Sequence, residues 1–200
     1  MKKYDFLFLC DFETTGVDPD VHYPIELGGL LIDNCLNIID VYHALIKVPK
    51  DAWDLFYREH DHKYTVVKSD WIEPHDSAYS IHGITVQELM QFGKEPIDVC
   101  SELLSFLNRY RKYGRVIITS DNAQFEFNFM KKLFKMANML DQWPFHYSAW
   151  DTNLDLCLFA PDIGDAIPVH RALPDAFRLY RQLVRYAERI KFFERCCNDS

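Results

Sequence analysis

The chain has 200 residues, 48% hydrophobic and 15% aromatic, which is enough for one domain with a substantial core. Its formal charge of −8, from 22 basic and 30 acidic side chains, argues against a protein that coats long nucleic acid by electrostatics alone. No span approaches transmembrane length, and Asp5 and Asp11 break the apolar run after Lys2 and Lys3 before a signal-peptide core forms; export and membrane contact are not expected.

Tyr4 to Cys10 (YDFLFLC) reads as a buried first strand. Pro24 to Ile32 and Ile38 to Val48 read as a second and third strand, a meander turning through Asp33, Asn34 and Cys35. Gly28 and Gly29 inside the second strand point to a close approach or a bulge. Glu95 to Tyr113 carries Ile97, Cys100, Leu103, Leu104 and Leu107 at the spacing of one buried helical stripe, ended by Gly114. Arg115 to Thr119 is a short fourth strand, and Ser120, Asp121 and Asn122 open a helix running to about Met139. Phe145 to Trp150 is expected as a fifth strand, followed by a helix from Asp151 and Thr152 through Phe159. The last helix is expected from Asp175 to about Glu194 behind Pro174, with Leu179, Leu183, Ala187 and Ile190 on its apolar face. The order of elements implies an α/β domain. Six cysteines without a C-x-x-C pair or zinc spacing fit reduced thiols in a cytoplasmic protein.

Acidic residues recur at three distant places. In CDFETTG, strand alternation sends Asp11 and Glu13 to one face and Phe12 to the other, so two carboxylates aim at one spot. Such a like-charged pair is costly unless a cation or hydrogen-bond donors compensate it, and hard oxygens suit Mg²⁺ or Mn²⁺. An isolated D-x-E reads first as a solvated strand end, and it is the other acidic clusters that turn the reading toward a metal site. In DNAQFEF, Glu126 shares a helix side with Asn122, Phe125 and Phe129. In HRALPDA, Asp175 lies in a first helical turn whose N–H groups favour an anion, and His170 belongs to the loop before it. An unperturbed histidine pKa of about 6.5 suits a general base.

DFETTG at 11–16, IHGIT at 81–85, DNAQFEFNFM at 121–130 and HRALPDA at 170–176, in that order, resemble the DEDDh branch of the 3′-to-5′ exonucleases, a family that includes polymerase proofreading subunits, oligoribonucleases and RNase T. The resemblance implies an RNase H-like fold with a central five-stranded mixed sheet flanked by helices, in one exonuclease domain spanning 1–200. It further implies hydrolysis of single-stranded DNA or RNA from 3′ ends to nucleoside 5′-monophosphates by a two-metal mechanism. Asp11, Glu13, Glu126 and Asp175 would hold two divalent cations, Mg²⁺ or Mn²⁺, and His170 would deprotonate the attacking water. Thr14 and Thr15 would meet the terminal 3′-OH and His82 the terminal base, although His82 also reads as a plain turn residue; Asn122 and Phe125 complete the expected substrate contacts. Two departures stand out: Asp121 replaces the family's usual His, and Glu126 its usual Asp. They leave open a second reading, a binding module on the exonuclease fold with weakened catalysis.

The segment 49–77 is longer than the family's usual passage to its HGIT loop. Its Trp53, Phe56, Tyr57, Tyr64 and Trp71 are suited to stacking bases, to packing on their own helix, or to a homodimer interface. His60, Asp61 and His62 form a further His-Asp metal pattern, without the helical array that usually accompanies it.

Overall fold

The computed structural model describes residues 4–49, 78–153 and 170–198. Residues 50–77 of the aromatic segment 49–77, and 154–159 of the helix expected from Asp151 and Thr152 through Phe159, lie outside them; Asp151 itself belongs to the last strand of the sheet rather than to a helix. Five strands form one mixed sheet in the order β3-β2-β1-β4-β5. They are β1 (Tyr4–Thr14), β2 (Pro24–Ile32), β3 (Ile38–Leu45), β4 (Gly114–Ser120) and β5 (Trp150–Asp151). The meander β1–β2–β3 is antiparallel, whereas β4 runs parallel to β1 and β5 parallel to β4. Among the described residues the α-helices are α1 (Ala78–His82), α2 (Val86–Phe92), α3 (Pro96–Arg111), α4 (Ala123–Met136) and α5 (Ala172–Asn198). None of the described helices is long and apolar enough to cross a membrane.

Strand alternation divides the core in two. Even-numbered β1 residues Phe6, Phe8, Cys10 and Phe12 pack with Val99, Leu103 and Leu107 of α3 and Phe129, Leu133 and Phe134 of α4. Leu9, Leu30 and Ile32 point to the opposite face, onto Ala176, Leu179 and Leu183 of α5. The two glycines of β2 follow the same division. A Cβ on Gly29 would overlap the Phe8 ring, while one on Gly28 would overlap the backbone of Ala172 and Leu173. Both are close approaches, and the register shifts fall elsewhere, at Glu13/Thr14 and Leu31/Ile32.

Several boundaries differ from expectation. β1 continues to Thr14 because β2 pairs with it that far, through Thr14↔Pro24. β3 stops at Leu45, although Ile46 forms an isolated bridge to Lys94. The buried face of α3 uses Val99 and Phe106 beside Cys100, Leu103, Leu104 and Leu107, and leaves Ile97 at 54% exposure. Ile97 sits in the first turn, beside the Pro96 that opens the helix, at the edge of the buried arc rather than at its centre. Gly114 begins β4 rather than ending the helix, and α4 ends at Met136. The fifth strand is only Trp150–Asp151, since Phe145 is drawn into the aromatic core against Phe8 and Trp143.

α5 starts at Ala172, three residues before Asp175. Arg171 N–H donates to Asp175 Oδ2 (3.2 Å), and Asp175 N–H donates to the Arg171 carbonyl (3.0 Å). Pro174 therefore sits inside the first turn, where a missing N–H still costs nothing. α2 was not anticipated, yet TVQE at 85–88 spells its start: Glu88 N–H donates to the Thr85 hydroxyl (3.1 Å).

Candidate active site

The sheet brings three of the expected ligands to one place. Asp11 and Glu13 leave β1 on the α5 face, and the start of α5 lies flush on Gly28, the cross-strand partner of Asp11. One ligand oxygen from each of Asp11, Glu13 and Asp175 lies within 4.8 Å of the others. Glu13 and Asp175 are buried, at 8% and 4% exposure, and Asp11 is partly exposed. Burial, then the charges of Glu13, Asp175 and Asp121, push the Asp11 carboxyl well above its ordinary range, with Arg178 pulling the other way. Burial and the neighbouring Glu26 and Asp175 raise Glu13 to about 8. The cluster is thus a set of hard oxygen donors short of positive charge.

Glu126 is not one of that trio. It comes from the opposite face, on α4, and reaches β1 where β4 no longer pairs with it, since the β1–β4 register ends at Leu9↔Thr119. Glu126 is 3% exposed, and its Oε2 is the one buried side-chain polar atom without a hydrogen-bond partner among the described residues. Burial and the charges of Asp11 and Asp121 raise its carboxyl strongly, opposed by the Phe12 N–H. A buried carboxylate oxygen with nothing to accept from costs roughly 1 to 3 kcal/mol or more. A cation beside it would remove that cost, so the residues present fit a divalent ion.

His170 lies immediately before Arg171, partly exposed, with a φ of 55°. Among the described residues no hydrogen bond or ion pair engages its ring. Thr14 and Thr15 are buried: the Thr14 hydroxyl donates to the Gly16 carbonyl (2.7 Å), and the Thr15 hydroxyl accepts from Tyr23 N–H (3.0 Å) and lies 3.2 Å from His22 Nδ1. His82 closes α1, buried, and its Nδ1 accepts from Ile84 N–H (2.9 Å), so the turn that follows, with Gly83 at a φ of 67°, orients the ring. Asn122 is exposed at the start of α4, and Phe125 is partly buried against the Phe129 ring.

Two polar clusters beside the acids escaped the sequence reading. Glu26, at 1% exposure, pairs across the strands with Glu13 and accepts from Arg171 Nη2 (2.8 Å), His43 Nε2 (2.8 Å) and Ala172 N–H (3.0 Å). Burial raises its carboxyl, but these donors outweigh it and hold it down to about 2. Glu26 thereby fastens the start of α5 to β2. Arg178 Nη2 donates to Asp121 Oδ2 (2.9 Å) and its Nε to Asp175 Oδ1 (3.2 Å), linking the end of β4 to α5. The Asp175–Arg178 spacing of three was visible in the sequence; the strand register that buries Glu26 was not.

Comparison with known proteins agrees with this architecture. A family model described as Exonuclease matches residues 8–183. Over 196 residues the chain is 30% identical to the DNA polymerase III PolC-type proteins of Thermotoga petrophila and Thermotoga maritima, covering 92% of this chain and 12% of each of those proteins. The chain therefore spans about an eighth of the length of these relatives. Among solved structures, the nuclease domain of 3′hExo, a DEDDh family member bound to rAMP, superimposes with a TM-score of 0.65 at 16% identity, covering 94% of each chain. E. coli Exonuclease I in complex with a dA16 oligonucleotide gives a TM-score of 0.61 at 16% identity, over 92% of this chain and 41% of that one. At these identities the structural likeness shows a shared RNase H-like fold. With its own motifs spread across the matched span, the chain belongs to the exonuclease family of the DEDDh type.

Proposed function

We propose that this domain is a divalent-metal-dependent 3′-to-5′ exonuclease that hydrolyses single-stranded DNA or RNA ends to nucleoside 5′-monophosphates. The observation that carries the reading is the convergence of Asp11, Glu13 and Asp175 ligand oxygens within 4.8 Å of one another. Asp11, Glu13 and Asp175 would hold one ion, and Glu126, through its unpartnered Oε2, would serve a second. Bound Mg²⁺ or Mn²⁺ would supply Lewis-acid activation of water and stabilisation of the leaving 3′ oxygen.

The remaining roles fall to the chain itself. His170, on the loop that Glu26 anchors through Arg171, accepts the proton of the attacking water at a ring nitrogen. Thr14 and Thr15, in a backbone turn fixed by Tyr23, meet the terminal 3′-OH. His82 faces the terminal base, and Asn122 and Phe125 border the strand. The single-stranded reading draws support from E. coli Exonuclease I, whose structures hold dA16 and dT13 oligonucleotides. The position of Glu126 outside the trio supports the rival reading, a binding module of the same fold with weakened catalysis.

Turnover of 5′-labelled single-stranded DNA and RNA in Mg²⁺ and in Mn²⁺ separates the two. The exonuclease yields a ladder shortened from the 3′ end, lost in Asp11→Ala, and slowed about 10² to 10⁴-fold in His170→Ala, which keeps its Mn²⁺ binding. Wild-type activity no greater than that of Asp11→Ala in either metal would overturn the enzyme reading.

A further inference from the structure

Asp121 occupies the position where the family usually has His, and it is tied to the ligand set through a single side chain. The Arg178 side chain is only 11% exposed, and its guanidinium lies between Asp121 and Asp175, 2.9 Å from the first and 3.2 Å from the second, with Gln182 Oε1 3.4 Å from Nη1. Asp121 is more open, at 34% side-chain exposure, and is not among the three acids that converge. We infer that Asp121 is a positioning residue for the metal centre, acting through Arg178: it anchors and neutralises a buried guanidinium that would otherwise turn wholly onto Asp175 and oppose the cation.

Arg178 has few places to put its charge. A buried cation that loses its partner seeks the nearest anion, and here that is Asp175 Oδ1, which Arg178 Nε already contacts. The other Asp175 oxygen is committed to Arg171 N–H at the helix start. With Asp121 present, Arg178 is held by one Nη2 bond and leans on Asp175 with Nε alone, so the guanidinium fork is split between two carboxylates. Without Asp121, nothing holds Nη2, and the guanidinium is free to bring a second N–H onto Asp175 Oδ1, a charge-assisted contact that competes with a cation for the same oxygen.

The inference depends on the metal reading proposed above, and a double-mutant cycle on Mn²⁺ binding keeps the two separable. Mn²⁺ titrations of the full chain by calorimetry or electron paramagnetic resonance compare wild type, Asp121→Asn, Arg178→Gln and the double variant. Metal-free melting curves establish that each is folded. Asp121→Asn is expected to weaken Mn²⁺ about ten-fold when Arg178 is present and less than two-fold in the Arg178→Gln background. An equal loss in both backgrounds would mean that Asp121 acts directly on the ion, and no loss in either would mean that it does not act at all; each overturns the inference while leaving the metal reading intact. Wild-type protein that binds no Mn²⁺ overturns the metal reading and the inference with it. Should Asp121→Asn not fold, Asp121→Ser carries the same comparison.

Discussion

Gly28→Ala puts the packing of the site to a direct test. Gly28 sits on β2 opposite Asp11, facing α5, and an added Cβ would overlap Leu173 N and the Ala172 carbonyl carbon and lie 2.5 Å from Leu173 Cα. These are backbone atoms, so no side-chain rotation relieves the clash. Restoring a carbon–carbon separation of about 3.5 Å requires the first turn of α5 to retreat by roughly 1 Å. Asp175 lies two residues beyond Leu173 in that turn, and its ligand oxygen would move with it. Overpacking of this kind costs about 1 to 3 kcal/mol of stability, and a 1 Å misplacement of a reacting constellation can cost about 10²-fold in rate. Gly29→Ala is the control: its Cβ meets the Phe8 ring on the other face of the sheet, 2.5 Å from Cε2, with a comparable stability cost and no push on Asp175. Urea unfolding gives the stability, and single-turnover cleavage in saturating Mn²⁺ gives the rate per folded molecule. Gly28→Ala with a rate within three-fold of wild type, or Gly29→Ala losing as much as Gly28→Ala, would refute the argument that α5 must touch the sheet to place Asp175.

Glu126→Gln should leave metal-free stability within about 1 kcal/mol of wild type, because the amide has the shape of the protonated carboxyl that burial favours and its oxygen still accepts from the Phe12 N–H, and should abolish turnover; a metal-free loss well above this, by urea unfolding in EDTA, would contradict it. Metal-free stability should also depend on pH in two windows. Glu13, raised from 4.5 to about 8 by burial and its acidic neighbours, keeps a proton in the fold that the unfolded chain releases, so stability falls between about pH 4.5 and 8 by a few kcal/mol. Glu26, held down to about 2 by His43, Arg171 and Ala172 N–H against the pull of burial, stabilises the fold above about pH 4.5 and loses that contribution toward pH 2. Urea titrations in EDTA from pH 3 to 8.5 check both, and Mn²⁺ should flatten the upper decline; a metal-free profile that rises from pH 5 to 8 would sink the Glu13 account.

The sequence alone determined the elements whose signal is local. Pro24–Ile32 is bounded by turn residues and is β2 as expected, and the alternation of Asp11, Phe12 and Glu13 follows from the two-residue repeat of any strand. The motif order was enough to identify the family and, with it, the sheet. Tertiary structure decided what local patterns do not encode. Glu26, a charged residue in an otherwise apolar strand, is buried at 1% because three donors, two from residues 145 and 146 positions away, converge on it. Ile97 has the spacing of a core residue relative to Cys100 and Leu104 and is exposed because the buried arc of α3 centres on Val99, Leu103 and Leu107, which leaves Ile97 at its edge. Glu126 has the charge of a ligand, yet it approaches β1 from the opposite face to Asp175 and stays apart from the converging trio. Which carboxylates meet is set by where β4 stops pairing and where α5 rests on Gly28, and those are contacts between segments, invisible to any spacing along the chain.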